Sequence, residues 1–138
     1  MHREALLPEL DEATRPPQEV IEFVSKGLAF DALARVARAY GVTQQVMAEL
    51  IGVSPRTLQR RRADGCFDAS ESERLYRFIR LYRRALDVFD EDEDAAREFL
   101  TEAQPGLAKA VPAEMARSEY GAAEVMDLLG RIDHGVYT

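Results

Sequence analysis

Residues 54–62 read SPRTLQRRR, which places Arg60, Arg61 and Arg62 in an unbroken run with Arg56 one helical turn before them. Guanidinium groups offer forked donors to phosphate oxygens and to guanine edges, and Gln59 carries the paired donor and acceptor that suit adenine. This is recognition chemistry rather than bond-making. The surrounding chain is acidic, with a formal net charge of -7. The imbalance is local: residues 56–84 hold 9 basic and 4 acidic side chains, whereas residues 1–55 hold 5 and 8 and residues 85–138 hold 4 and 13. Exposed charges act over only about 8 Å at physiological salt, so this pattern suits a confined anionic site and argues against a nonspecific polyanion coat. An arginine run at a helix end is also a common solvated face that complements the helix C-terminus. The element that carries the run separates the two readings.

Thr43 can cap a helix over QQVMAELI, with Val46, Met47, Leu50 and Ile51 facing inward. Gly52-Val53 makes a short turn, Ser54 caps the next helix, and Pro55 stands at its first position, where the missing N–H costs nothing. Ala48 is small enough for close approach of the two helices, and Val53 and Leu58 can pack beneath the turn. Helix, glycine-containing turn and capped helix is the helix-turn-helix spacing, in which the start of the second helix meets base edges in the major groove. The candidate DNA-contacting set is Thr43 and Gln44 on the first helix, with Ser54, Pro55, Arg56, Thr57, Gln59, Arg60, Arg61 and Arg62 on the second. One such unit contacts few base pairs, so a homodimer on operator DNA is expected.

The rest of the chain reads as helical, giving an all-α protein: a helix-turn-helix domain followed by a small helical C-terminal domain. Sustained apolar alternation and β-branched runs are absent. An arm over residues 1–17 ends at TRPP, and Val20, Ile21, Phe23 and Val24 predict a short helix ending near Gly27. Phe30, Leu33, Ala34, Val36, Ala37 and Tyr40 predict another that stops at Gly41. In SESERLYRFIRLYRRALDVF, Ser70 and Glu73 have capping-box spacing, and Leu75, Phe78, Ile79, Tyr82, Leu86 and Phe89 form one apolar stripe. This long core helix closes a domain over residues 18–89. Arg77, Arg80 and Arg84 fall on another face, best read as solvated or salt-bridged. DEDED at 90–94 is the acidic start of the helix over DAAREFL, not a metal site. In the domain over residues 90–138, QPGL is a loop and VPAEMAR a short helix. Ser118 caps a last helix whose Val125, Leu128, Leu129 and Ile132 make one apolar side, and Gly135 ends it.

Composition excludes several classes. Cys66 is the only cysteine, so an intramolecular disulfide and cysteine-based zinc sites are out by count. No nucleophile stands with a base and orienting partner, and no phosphate-cradling glycine loop or metal-ligand spacing occurs, so neither enzyme activity nor a cofactor is expected. No apolar run approaches the roughly 20 residues of a membrane helix, and MHREALLPELDEA lacks the order of a signal peptide. A cytoplasmic protein without a membrane partner is expected.

The succession SPRTLQRRR, ESERLYRFIRLYRRALDVF, AAREFL and EVMDLLGRIDHGVYT resembles the Xre-type antitoxins of the Xre/MbcA/ParS group over about residues 28–138, the closing DLLGRIDHGVY most specifically. The resemblance implies a RES-domain toxin partner that depletes NAD, an antitoxin whose C-terminal region covers the toxin's active site, and a type II complex that represses its own promoter. By position it carries Leu128, Arg131, Ile132, His134, Gly135, Val136 and Tyr137 over as the toxin-contacting end. Read alone, His134 is a cap in the last helical turn. The sequence departs from the family at Leu107-Ala108-Lys109, where a Leu-Gly-Gly loop is usual, and at Pro112-Ala113-Glu114-Met115-Ala116, where a Pro-Leu-Asp-Leu-Leu helix is usual. Different packing is expected there. A stand-alone helix-turn-helix regulator and an adaptor without DNA binding are the other classes the residues leave open.

Overall fold

The computed structural model describes residues 16–135, and among these the chain is all-α: α1 Pro17–Ser25, α2 Asp31–Tyr40, α3 Gln44–Leu50, α4 Pro55–Asp64, α5 Ala69–Val88, α6 Glu93–Thr101, α7 Pro112–Met115 and α8 Glu119–Asp133. Pro105–Leu107 forms a 3₁₀ turn where the sequence suggested a plain loop. Isolated bridges join Ala29 to Cys66 and Gln104 to Ala110, and no strand forms among the described residues. The chain divides into two compact units between Arg80 and Leu81, inside α5 and before the end of its apolar stripe at Phe89.

In the first unit the core follows the helical periodicities. Leu33, Val36, Ala37 and Tyr40 from α2, Met47 and Leu50 from α3, and Leu75, Phe78 and Ile79 from α5 are buried. Gly41 ends α2 with φ 69°, a conformation glycine adopts without the steric cost a Cβ would impose. The Tyr40 hydroxyl donates to the Phe78 carbonyl oxygen at 2.7 Å, which satisfies a buried polar group inside this core. Val46, expected inward, is 40% exposed. With α3 only 7 residues long, Met47, Ala48 and Leu50 fill its inner face and Val46 falls to the side.

The start of α5 also differs from expectation. Ser70 and Glu73 do not form its capping box. Asp68 and Glu71 do: the Glu71 N–H donates to Asp68 Oδ1 at 2.7 Å, and the Asp68 N–H donates to Glu71 Oε1 at 3.0 Å. Ser72 is buried and accepts from the Leu28 N–H at 2.8 Å.

In the second unit Leu81, Tyr82, Ala85 and Leu86 of α5 are buried, together with Phe99 and Leu100 of α6 and Val125, Leu128 and Leu129 of α8. Asp92 caps α6 by accepting from the Ala95 N–H at 3.0 Å, and Glu93 and Asp94 stand in its first turn, so the acidic run does open a helix. Ser118 caps α8 by accepting from the Gly121 N–H at 3.0 Å. A Cβ at Gly121 would overlap the Met115 carbonyl oxygen, so this glycine lets α8 begin directly against the end of α7. Arg83 pairs with Asp87 and Glu91, and Arg84 with Asp133 at 3.3 Å, which makes this part of the α5 arginine face salt-bridged.

Candidate functional site

The first candidate surface is the α3–turn–α4 unit. Gly52 takes φ 73° just past α3, and the Val53 N–H donates back to the Ala48 carbonyl oxygen at 2.9 Å. Val53 and Leu58 are buried beneath the reversal as expected, at 4% and 8% exposure. Ser54 accepts from the Thr57 N–H at 3.2 Å, and Pro55 occupies the first position of α4. Arg56, Gln59, Arg60 and Arg62 are all exposed along this helix. At the N-terminus of α3, Thr43 accepts from the Val46 N–H at 3.1 Å and Gln44 is exposed. A cleft of about 400 Å³ brings Gln44 and Arg62 to one place, with Asp31 on its wall. The Arg62 guanidinium lies 4.9 Å from the centre of the Phe30 ring, which stacks on Phe67 at 5.4 Å, so its charge is directed by a cation–π contact while it stays exposed.

Arg61 does not share that surface. Its side chain is 18% exposed, and Nε donates to Glu71 Oε1 at 2.6 Å while Nη2 donates to Glu71 Oε2 at 3.2 Å. Asp64 at 3.1 Å and Asp68 at 3.3 Å complete a three-carboxylate cage. The hydrogen bonds that Arg61 donates to Glu71 and then to Asp64 push its pKa above its already high ordinary value, so the guanidinium stays charged. Of the three consecutive arginines, the middle one ties α4 to the first turn of α5. Arg74 adds a second tie, its Nε donating to the Ile51 carbonyl oxygen at 2.6 Å and its Nη1 to Ser70 Oγ at 2.7 Å. Glu71, Asp68 and Arg74 were not foreseen in this role. The Asp-x-x-Glu spacing at 68–71 was visible, but the Ser-x-x-Glu spacing two residues later competed with it.

The second candidate surface is the end of α8. Leu128 is 4% exposed and packs in the core of its unit, whereas Arg131 and Ile132 are half-buried and His134 and Gly135 exposed. His134 Nδ1 lies 2.8 Å from the Gly130 carbonyl oxygen, the capping contact expected of a histidine in a last turn. Arg131 Nε is buried with no hydrogen-bond partner among the described residues. An open groove of about 370 Å³ runs past Met126, Asp127, Gly130, Arg131 and His134. Val136 and Tyr137 lie outside the described residues.

Among the described residues, no group of three or more His, Cys, Asp or Glu is placed to hold a metal ion, and no helix is long and apolar enough to cross a membrane. Residues 19–80 match the Antitoxin Xre-like helix-turn-helix domain, and residues 84–135 match the Antitoxin Xre/MbcA/ParS C-terminal toxin-binding domain. The chain is 32% identical over 120 residues to an Antitoxin Xre of Yersinia enterocolitica, covering 86% of this chain and 81% of the relative. It is 39% identical over 88 residues to an Antitoxin Xre of Photorhabdus laumondii subsp. laumondii, covering 63% and 60%. The matched spans coincide with the two surfaces built above from their residues, and the chain belongs to the Xre antitoxin family, as an antitoxin with an N-terminal helix-turn-helix domain and a C-terminal toxin-binding domain.

Proposed function

We propose that this antitoxin neutralises a RES-domain, NAD-depleting toxin by covering its active site with the C-terminal region, and that it represses its own operon through the helix-turn-helix as a homodimer within a type II toxin–antitoxin complex. The toxin-binding match extends to residue 135, and the segment DLLGRIDHGVY resembles that of antitoxins whose partners are RES-domain toxins. That resemblance is the observation that carries the proposed identity of the toxin. Operator reading rests on the exposed Arg56, Gln59 and Arg60 along a helix whose first turn is capped and whose back is buried. In this reading Arg56 and Gln59 address base edges, Arg60, Arg62 and Gln44 address phosphates, and Thr43, Ser54, Pro55 and Thr57 set the backbone that presents them.

Co-expression with the protein encoded beside it tests the first half. A cut after Gly130 would remove Asp133 and with it the ion pair to Arg84, so the informative truncation ends at Gly135 and removes only Val136, Tyr137 and Thr138. The full chain is expected to restore growth and cellular NAD, and the truncated chain to fold without restoring either. Unchanged NAD in cells making the neighbour alone would refute a NAD-depleting partner. Protection by the truncated chain would refute the inhibitory role of the tail.

A further inference from the structure

Two glycines interrupt α8, and only one of them is explained by the fold. Gly121 is required by the Met115 carbonyl, whereas a Cβ built at Gly130 meets nothing within 4 Å. Glycine inside a helix is less favourable than alanine, and no left-handed backbone angle calls for it at residue 130. The chain itself therefore gains nothing from Gly130.

The surroundings of Gly130 are equally unfinished. Tyr120, Asp127 and His134 recur at heptad spacing, so they lie along one face of α8 with Ala123 and Gly130 between them. Tyr120 is 78% exposed, the most open of the large apolar side chains among the described residues, and Ala123, Asp127 and His134 are exposed as well. The open groove at Gly130 is lined by Met126, Asp127, Arg131 and His134 as well. An exposed aromatic at one end, small residues in the middle and an open groove at the other end make a surface prepared for close contact.

We infer that this face of α8, Tyr120–Ala123–Asp127–Gly130–His134, is a docking surface for the toxin, with Gly130 the point of closest backbone approach and Tyr120 an anchor. The inference rests on the toxin-binding reading above and extends the contact from the end of α8 along its exposed face to Tyr120. The toxin element it fits has a side chain with an aliphatic stem and a cationic head. The stem lies over Gly130 and Met126, and the head reaches the exposed Asp127 carboxylate. The charge of the segment agrees, since residues 85–138 carry 13 acidic against 4 basic side chains.

The test is binding of the purified full-length chain to the purified protein encoded beside it, by titration calorimetry, for the unaltered antitoxin and for Gly130→Ala, Gly130→Leu, Tyr120→Ala and Asp127→Asn, with Arg117→Ala as an off-face control. Gly130→Ala is expected to raise the melting temperature of the free antitoxin while weakening toxin binding, two effects that a structural role would not combine. Gly130→Leu and Tyr120→Ala are each expected to weaken binding by about 30-fold or more, as for a central interface residue. Asp127→Asn should weaken it by about tenfold and flatten its salt dependence. If the unaltered chain does not bind the neighbour, the toxin reading fails and the docking surface with it. If the unaltered chain binds and the Gly130 and Tyr120 variants bind equally well, only the α8 surface is overturned.

Discussion

Arg60 and Arg61 are adjacent in the chain and face different tasks. Arg60 is exposed on α4, whereas Arg61 is held by Glu71, Asp64 and Asp68. Replacing Arg61 with alanine leaves the Glu71 carboxylate, 6% exposed, without its cation, so that variant should melt at a distinctly lower temperature than the unaltered chain. Arg60→Ala should melt normally and bind promoter DNA more weakly, with the slope of log affinity against log salt reduced by about 1, the signature of one lost phosphate contact. Thermal melts by circular dichroism and fluorescence anisotropy across a salt series read the two effects apart, and equal melting temperatures would show that the carboxylate cage does not hold α4. Within the core, Tyr40→Phe should cost about 1 kcal/mol in urea unfolding, since it removes the donor to the Phe78 carbonyl and keeps the ring.

At the level of helices, most of what the sequence announced is present, because caps and apolar spacing are local signals. Thr43, Ser54 and Ser118 cap as read, and Gly41 closes α2. The misses have a common cause. Asp68 displaced Ser70 as the cap of α5 because Glu71 serves two elements at once, its own helix start and Arg61 of α4, and a contact ten residues apart is invisible to periodicity. Val46 was misassigned for a similar reason: which flank of an amphipathic helix is covered depends on the neighbouring helix, not on its own pattern. The candidate DNA-reading set was legible as a cluster, but not the division of labour inside it. Close approach is the clearest case of a feature that only the structure shows. Gly121→Ala should destabilise the protein by about 2 kcal/mol or more, because the obstructing atom is backbone and cannot rotate away, and chemical denaturation with an unchanged m-value would register it.

For the molecule as a whole, the arginines of α4 belong to a chain of net charge -7, with 13 acidic against 4 basic side chains beyond residue 84. Net charge of that sign weakens the long-range attraction of a polyanion at low salt, which predicts low affinity for arbitrary sequence. Reversing two exposed charges, Glu98→Lys with Glu102→Lys, should raise binding to non-operator DNA at low salt and shrink the ratio of operator to non-operator affinity; an unchanged ratio would show that the acidic segment has no such effect. The division between Arg80 and Leu81 has a consequence of a different kind. Every side chain offered here for reading DNA lies before it, and every one offered for holding the toxin lies after it, so no single residue serves both recognitions. Mutations that retarget the operator are thereby free of the requirement to preserve the toxin partnership. Descendants of such a gene can acquire new promoters and new toxins along separate lines of descent, and a duplicated copy can escape cross-talk at either end first.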